Sequence, residues 1–551
     1  MELRIKDIAQ PTIKVEWNDL FQQEKSIHQL ENQVLTTYLK RMRWFGGKAR
    51  AVNAVKVYQN IILETSDGFA HYLLLKVRYS DGPTEIYALP IVFISERQAE
   101  MGEIPSEAII CKLENEVQTG YLIDGIYSEN FRNALFMLMA KNAAINGNHY
   151  PVKAIAGKFL IQNGIPENLT SKVLKADQSN SAIIFNDTYF VKLFRKVEYM
   201  VNPDFEIINF LTEQHQFNNI PAYGGSVELI HPEKPNLLLL MLQQLVPNKG
   251  DAWQYFLQEL KGFYEHAIES EYHLRPLPIK PHTLSLTWEN TPESLQLLIG
   301  KDAANRAALL GKRTAEMHLA LANTPNNPDF APRPLDENFQ KHLLENLEKL
   351  VKNKFELLEK NIEKVPISMR QEAQYMIHEY DRVIAFLRRV LTKPLEGNRI
   401  RIHGDYHLGQ VLVTNDDYFI LDFEGEPDKL HEERRDLYPS LKDVAGMMRS
   451  FRYAAYAVIF QQYDSDEALR GKLMPVADVW YHYMSRYFLG SYIETAHGSG
   501  IIPSDDKIND LLQIYSFKKA IYELGYEINN RPDWAVIPLQ SLVKFVKHYL
   551  D

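Results

Sequence analysis

RIHGDYHLGQVLVTNDDYFILDFEGEP, residues 401–427, decides how the rest of this chain is read. VLVT and YFILDF are short runs of strand-forming residues, and the NDD between them is turn chemistry, because Asn and Asp tolerate unusual backbone angles. The spacing predicts a hairpin that carries the segment before its first strand to the segment after its second. Asp405 and Gln410 are therefore expected beside Asp422. Asp405 has the chemistry to accept the proton of an attacking hydroxyl. Asp422 is a hard oxygen ligand of the kind Mg2+ prefers, and the Gln410 amide oxygen can join it. A base next to a divalent-metal pair is equipment for phosphoryl transfer.

Protein kinases keep the same order: a catalytic Asp, an amide five positions on, and a metal Asp after a hairpin. Here, too, Gln410 follows Asp405 by five positions. Such chemistry also needs a lysine for the ATP phosphates and an acid to hold it. SAIIFNDTYFVKLFRK, 181–196, reads as a second hairpin turning at Asn186–Asp187, with Lys192 on its second strand and Val191 and Leu193 on the opposite face. In VNPDFEIINFLTEQ, Asn202 is placed to cap a helix that begins at Pro203. Glu206, in its first turn, is the expected partner of Lys192.

The turn ahead of Lys192, ADQSNSAIIF, has no glycine-rich fingerprint. Ser179, Asn180 and Ser181 offer hydroxyl, amide and backbone N–H donors to phosphates instead; a plain polar turn is the other reading. LLLLMLQQLVP, 237–247, reads as a buried strand entering a connection, and the adenine contact is expected between Gln244 and Val246.

Composition limits the alternatives. Apolar residues make up 45% and charged residues 24% of the 551, as in ordinary globular proteins. No run of about 18 apolar residues suggests a membrane span. MELRIKDIAQPTIKVEW lacks the apolar stretch of a secretory signal. One cysteine, Cys111, forms neither an intrachain disulfide nor a zinc cluster, which points to the cytoplasm. The net charge of −10, without a basic stripe, speaks against nucleic acid and anionic lipid as partners.

Strand-like runs dominate up to about residue 95 and again from 171 to 247, with a helix over 125–150 between them. Beyond 250 the pattern is helical: KDAANRAALLGKRTAEMHLALAN repeats apolar residues at spacings of three and four, and ENLEKLVKNKFELLEKNIEKV carries one apolar stripe. Pro-rich stretches at 275–281 and 325–334 read as connections. The expected fold is α+β and bilobal, with a cleft between a strand-rich lobe and a helical one.

HGDYHLGQVL resembles the catalytic loop of aminoglycoside and choline kinases. The fuller string HGDYHLGQVL…LDFEGEP…LKDVAGMMRSFRYAA is similar to the bacterial maltokinase family, as are RWFGGK at 43–48, QSNSAIIF at 178–185, YFVKLFRKVEYMVNPDFEI at 189–207 and YELGYEINNRPDW at 522–534. That family makes maltose 1-phosphate from maltose and ATP and feeds α-glucan (glycogen) synthesis. The resemblance implies a protein-kinase-like fold in three parts: an N-terminal cap over 1–90, an intermediate subdomain over 91–247, and a helical lobe over 248–551. It implies Asp405 as catalytic base, Gln410 and Asp422 as magnesium ligands, and Asp443 as a brace for the HGD loop. It also implies a functional link to trehalose synthase and a maltosyltransferase.

For the sugar, the resemblance directs attention to Tyr522, Tyr526 and Arg531. The two tyrosines are four apart and can share one helical face; an ordinary amphipathic helix end is the other reading. His403 and Glu424 flank the catalytic groups and are expected at the reacting end of the sugar, although His403 can equally hold the loop. Rival readings are a kinase for glucosamine or an aminoglycoside, and a catalytically silent nucleotide-binding module. Retention of Lys192, Glu206, Asp405, Gln410 and Asp422 together speaks against the silent module.

Overall fold

The computed structural model describes residues 11–101, 104–116, 119–174, 179–215, 217–269, 284–324, 327–463 and 466–550. The first ten residues, read above for a leader, lie outside the described residues, as do Gln178 and the Pro-rich stretch 275–281. Of 325–334, the described part includes the short strand Arg333–Pro334. The chain divides into two compact units, Met1–Val246 and Pro247–Asp551.

Long β-branched and aromatic runs build the first sheet of the first unit. Val52–Thr65, Gly68–Tyr79 and Glu85–Ser95 lie side by side, followed by Thr119–Asp124, Ile109–Glu114 and Thr12–Ile13. Only the last pairing, Thr12–Ile13 on Ile109–Glu114, is parallel. Leu73, Leu75, Val77, Leu89 and Ile91 from the middle strands pack with Leu30, Val34, Leu35, Tyr38 and Leu39 of the helical segment Glu24–Arg41. This sheet does not stop at residue 90. Glu85–Ser95 bonds to Thr119–Asp124, so its hydrogen-bond ladder carries the same layer through Asp124.

The second sheet runs Ala144–Asn146, Pro151–Ala156, Tyr223–Leu229, Leu237–Gln244, Tyr189–Leu193, Ser181–Phe185, Ser171–Val173. It therefore begins before 171, with two strands that follow the helix Glu129–Ala140. The expected hairpin forms with Ile183 opposite Val191, and its turn residues Asn186 and Asp187 sit at φ 48° and 47°. Two positive φ angles in succession are the two-residue turn that matches strand twist.

One buried polar cluster ties the two sheets together. Arg195, fully buried at the end of Tyr189–Leu193, donates to Asp124 at 2.6 Å and to the Ser181 hydroxyl at 2.8 Å. Its backbone oxygen accepts from Ala88 N at 2.7 Å, and Tyr38 OH reaches Asp124 at 3.4 Å. Lys196–Val197 then pairs with Glu85–Ser95, so the chain crosses from the second sheet onto the first.

The second unit is mainly helical. Leu441–Gln462 is buried on almost every side, by Ala252–Glu269, Glu467–Ala496 and Asp505–Asn530. Lys301–Ala322 lies so close to Glu467–Ala496 that a Cβ on Gly311 would meet Phe488 O at 2.0 Å, so only glycine fits the crossing. Among the described residues, no helix is long and apolar enough to cross a membrane.

Removing one partner of a buried ion pair leaves the other charge without compensation. Asp124→Ala is expected to cost about 3–5 kcal/mol. The check is the urea-unfolding midpoint followed by a probe in the first unit.

Candidate active site

In the second unit the hairpin forms from Val411–Val413 and Tyr418–Ile420, with Leu412 opposite Phe419. Its turn closes with ordinary backbone angles. Thr414 Oγ donates to Asp417 O at 3.0 Å, and Arg313 grips the Asp417 carboxylate with two bonds of 2.7 Å. The unusual angle falls instead on Asp422, just past the second strand, at φ 63°. A non-glycine residue there costs roughly 1–2 kcal/mol, and such strain concentrates at functional sites.

The hairpin brings Gln410 to Asp422. Gln410 Nε2 donates to Asp422 Oδ2 at 2.9 Å, and Leu421 N donates to Gln410 O at 2.8 Å. With its nitrogen so engaged, the Gln410 amide has its oxygen left to offer. Carboxylate and amide oxygens are the hard donors that suit Mg2+. Asp405 belongs to the same neighbourhood: burial pushes the His407 imidazole down, while the charges of Asp405 and Asp422 both pull it back up.

The loop that carries Asp405 is held from below. His403 N and Gly404 N donate to the two oxygens of Asp443 at 2.8 and 3.0 Å. Asp443 is also bonded to His318 Nε2 at 3.1 Å. Burial raises the Asp443 carboxyl, but the His318 hydrogen bond and charge outweigh it and hold the group below its ordinary range. Gly404 takes φ 91°, and a Cβ there would press on Gly425 Cα at 3.1 Å. The glycines of HGD and of DFEGEP thus permit one close approach. His403 is 1% exposed, and its Nε2 bonds to Leu421 O at 2.8 Å. Its expected sugar contact is corrected: a ring buried and bonded in this way holds the loop. Glu424 is half-buried on the segment after the hairpin.

Helix Asp505–Asn530 adds a residue that the sequence reading passed over. Lys519 Nζ pairs with Asp405 Oδ1 at 3.4 Å. Burial pulls the Lys519 ammonium down, but Asp405, Glu523 and Glu426 more than offset this, so it stays charged. One turn further on, Tyr522 OH donates to Asp428, and Tyr526 is 49% exposed. Lys519, Tyr522 and Tyr526 share one helical face, so the stripe read from 522 onward begins a turn earlier. Arg531 folds back onto Glu527 at 2.9 Å and lies over the Trp534 ring at 4.5 Å.

Near Asp405 stands a further group that motif reading missed. The Glu426 carboxylate is ringed by lysines: Lys429 at 3.2 Å and Lys442 at 3.5 Å, with Lys518 and Lys519 in electrostatic range. One carboxylate thus gathers four lysines beside the base, and burial pulls the Lys442 amine down to about 7.

In the first unit Lys192 Nζ pairs with Asp204 Oδ2 at 3.1 Å. Asn202 caps the helix as expected, accepting from Phe205 N at 3.0 Å, and Pro203 opens it. The cap turns Asp204, 3% exposed, toward the strand; Glu206 lies half-buried in the same first turn. Of the polar turn, Ser179 is exposed, whereas Asn180 Oδ1 accepts from Arg195 N at 3.3 Å and the Ser181 hydroxyl from Arg195 Nε at 2.8 Å. The buried arginine takes the oxygens of these two side chains, and their O–H and N–H donors are not used in those bonds. Gln244 donates its backbone N–H to Ala222 O at 2.9 Å, and its side-chain Oε1 accepts from Ala222 N at 3.4 Å, at the end of the strand Leu237–Gln244. Val246, 4% exposed, ends the unit.

Comparison with known proteins agrees with this geometry. Residues 38–127 match the maltokinase N-terminal cap domain, and residues 293–451 match the phosphotransferase enzyme family. A glucosamine kinase from Streptacidiphilus jiangxiensis is 23% identical over 68% of this chain and 73% of its own length. A glucosamine kinase from Mycolicibacterium smegmatis is 30% identical over 25% of this chain and 33% of its own. A solved glucosamine kinase in complex with glucosamine, ADP and inorganic phosphate superposes at TM-score 0.60 and 17% identity, covering 93% of this chain and 99% of that one. The fold is therefore kinase-like α+β, with a maltokinase-type cap domain and a phosphotransferase-family domain in one chain.

The lysine ring fixes the pH behaviour of Glu426. Burial alone would raise its carboxyl; Lys442, Lys429 and Lys519 outweigh that and hold it down to about 2, from an ordinary 4.5. A depressed carboxylate contributes stability that is fully present above its unfolded value and is lost as pH falls through the folded one. Wild type should lose this contribution between pH 4.5 and about 2. Glu426→Gln should be less stable at neutral pH by roughly 1–3 kcal/mol, and that gap should close toward the acid end. Urea midpoints of both proteins against pH check this.

Proposed function

We propose that this protein transfers the γ-phosphoryl group of ATP to the anomeric hydroxyl of maltose, giving maltose 1-phosphate and ADP. The observation that carries the reading is the convergence on one hairpin of an acid base, Asp405, with the Gln410–Asp422 oxygen pair. The cap-domain match over 38–127 favours maltose as the acceptor.

In this reaction the first unit supplies Lys192, with Asp204 and Glu206 behind it, to the nucleotide phosphates, with Ser179, Asn180 and Ser181 as candidates for the phosphates and Gln244 and Val246 for the adenine. Magnesium held by Gln410 and Asp422 would neutralise charge on the transferring phosphate. Asp405 orients the sugar hydroxyl and takes its proton as the oxygen bonds to phosphorus and the bond to the ADP oxygen breaks. Lys519 fixes the Asp405 carboxylate and presents positive charge beside it. Positioning and charge supply most of the rate gain. Tyr522 and Tyr526 offer ring faces to the sugar, with Glu424 and Arg531 as hydroxyl partners. Maltose 1-phosphate would feed α-glucan synthesis, linking the enzyme to trehalose synthase and a maltosyltransferase.

A second reading has its own support: the curated relatives reported above are glucosamine kinases. The same base and metal pair would then serve an amino sugar. The deciding experiment measures ADP release with ATP, magnesium and, in turn, maltose, glucose, glucosamine, trehalose and kanamycin, with product masses checked. A maltose-dependent signal that yields an acid-labile sugar 1-phosphate is expected. Turnover with glucosamine and silence with maltose would replace the acceptor. Asp422→Ala is expected to abolish turnover at every magnesium concentration; activity restored or retained across a magnesium titration would remove Asp422 from the metal site.

A further inference from the structure

A cavity of about 650 Å³ opens among four helices of the second unit and shares no residue with the catalytic loop or hairpin. Its size falls within the ~300–1,000 Å³ usual for small-molecule sites. Helix Leu441–Gln462 lends it Arg449 and Arg452, Glu467–Ala496 lends His482 and Arg486, and Val536–Tyr549 lends Lys544 and Lys547. No acid lines it. Helix Asp505–Asn530 closes it with Ser516 and Ala520, which lie on a different face from Lys519, Tyr522 and Tyr526.

Acids behind the wall compensate for only part of this charge. Glu523 pairs with Arg449, and Asp478 pairs with both Arg452 and Lys544. Arg486 and Lys547 have no carboxylate partner among the described residues. Two buried nitrogens behind this wall have no hydrogen-bond partner, Arg452 Nε and His482 Nε2. Burial and the Arg486 charge push the His482 ring down to about 4, so it is neutral at ordinary pH. A chain of net charge −10 therefore keeps a half-buried cationic cavity whose Arg486 and Lys547 no described carboxylate offsets. Phe517, Phe545 and Tyr549 supply apolar and aromatic wall.

We infer that this cavity is a second ligand site, separate from the catalytic residues, for a small phosphomonoester that carries an apolar or ring-shaped group. The phosphate pairs with Arg486, and with Lys547 at the exposed rim, while the ring lies against the aromatic wall. Guanidinium groups bind phosphate by paired, charge-assisted hydrogen bonds.

Phenyl phosphate is the probe, titrated calorimetrically into the full-length protein with ADP and magnesium at saturation. One molecule is expected to bind per chain, more weakly as salt rises. Arg486→Gln should weaken it by about tenfold or more, Arg486→Lys by less, and Asp405→Asn not at all. The Arg486→Gln comparison stands whether or not the protein binds ADP. If Arg486→Gln fails to fold, the exposed Lys547→Gln takes its place, again with weaker binding expected. No binding by wild type at millimolar probe, equal binding of uncharged phenyl glucoside, or an affinity unchanged in a folded variant would each overturn the inference. So would competition by ADP, which would place the phosphate at the nucleotide site.

Discussion

Within the second unit, much depends on one buried carboxylate. Asp443 takes the N–H groups of His403 and Gly404 with its two oxygens and is braced by His318, which Tyr492 holds in turn at 3.0 Å. Backbone donors that point at a fixed acceptor cannot drift, so the residue that follows them, Asp405, emerges at a set place. The same helix makes this possible by coming very close: a Cβ on Gly446 would meet Tyr406 O at 2.8 Å. Leu408 N on Ser450 Oγ, at 3.1 Å, adds a second tether about two turns along the helix from Asp443. The catalytic loop is thus mounted on a helix at the centre of the unit's core.

The first unit has a comparable anchor in Arg195. Its guanidinium is fully buried, meets Asp124 and Ser181, and lies over the Trp44 ring at 4.7 Å. Because Arg195 follows Lys192 by three residues, the cluster that joins the two sheets also fixes the strand that offers the lysine. In each unit the group proposed for chemistry is set by a buried charged anchor: Lys192 lies three residues before Arg195, and Asp405 directly follows the two backbone N–H groups that Asp443 takes.

The sequence disclosed what local chemistry determines. Both hairpins were legible from strand runs separated by Asn and Asp, and the helix at Pro203 from its Asn cap. The Gln410–Asp422 juxtaposition followed from hairpin geometry alone. What stayed hidden was choice of partner across the fold. No spacing says that Lys192 meets Asp204, that Arg195 takes the oxygens of Asn180 and Ser181, or that Lys519 reaches Asp405 from more than a hundred residues away. The extent of the first sheet was hidden for a similar reason, because Thr119–Asp124 joins it through pairing with Glu85–Ser95 and not through any shift in composition. The lysines around Glu426 are scattered from 429 to 519, so they register in the chain as ordinary surface charge.

The central claim is that Asp405, held by the Asp443 mount, is the base of a phosphoryl transfer. The most direct test is single-turnover transfer from ATP to whichever sugar wild type phosphorylates, in wild type and Asp405→Asn, with ATP affinity measured in parallel. The account predicts unchanged affinity and a loss of about 10²–10⁴ in the rate of transfer. Transfer at the wild-type rate by Asp405→Asn would contradict it.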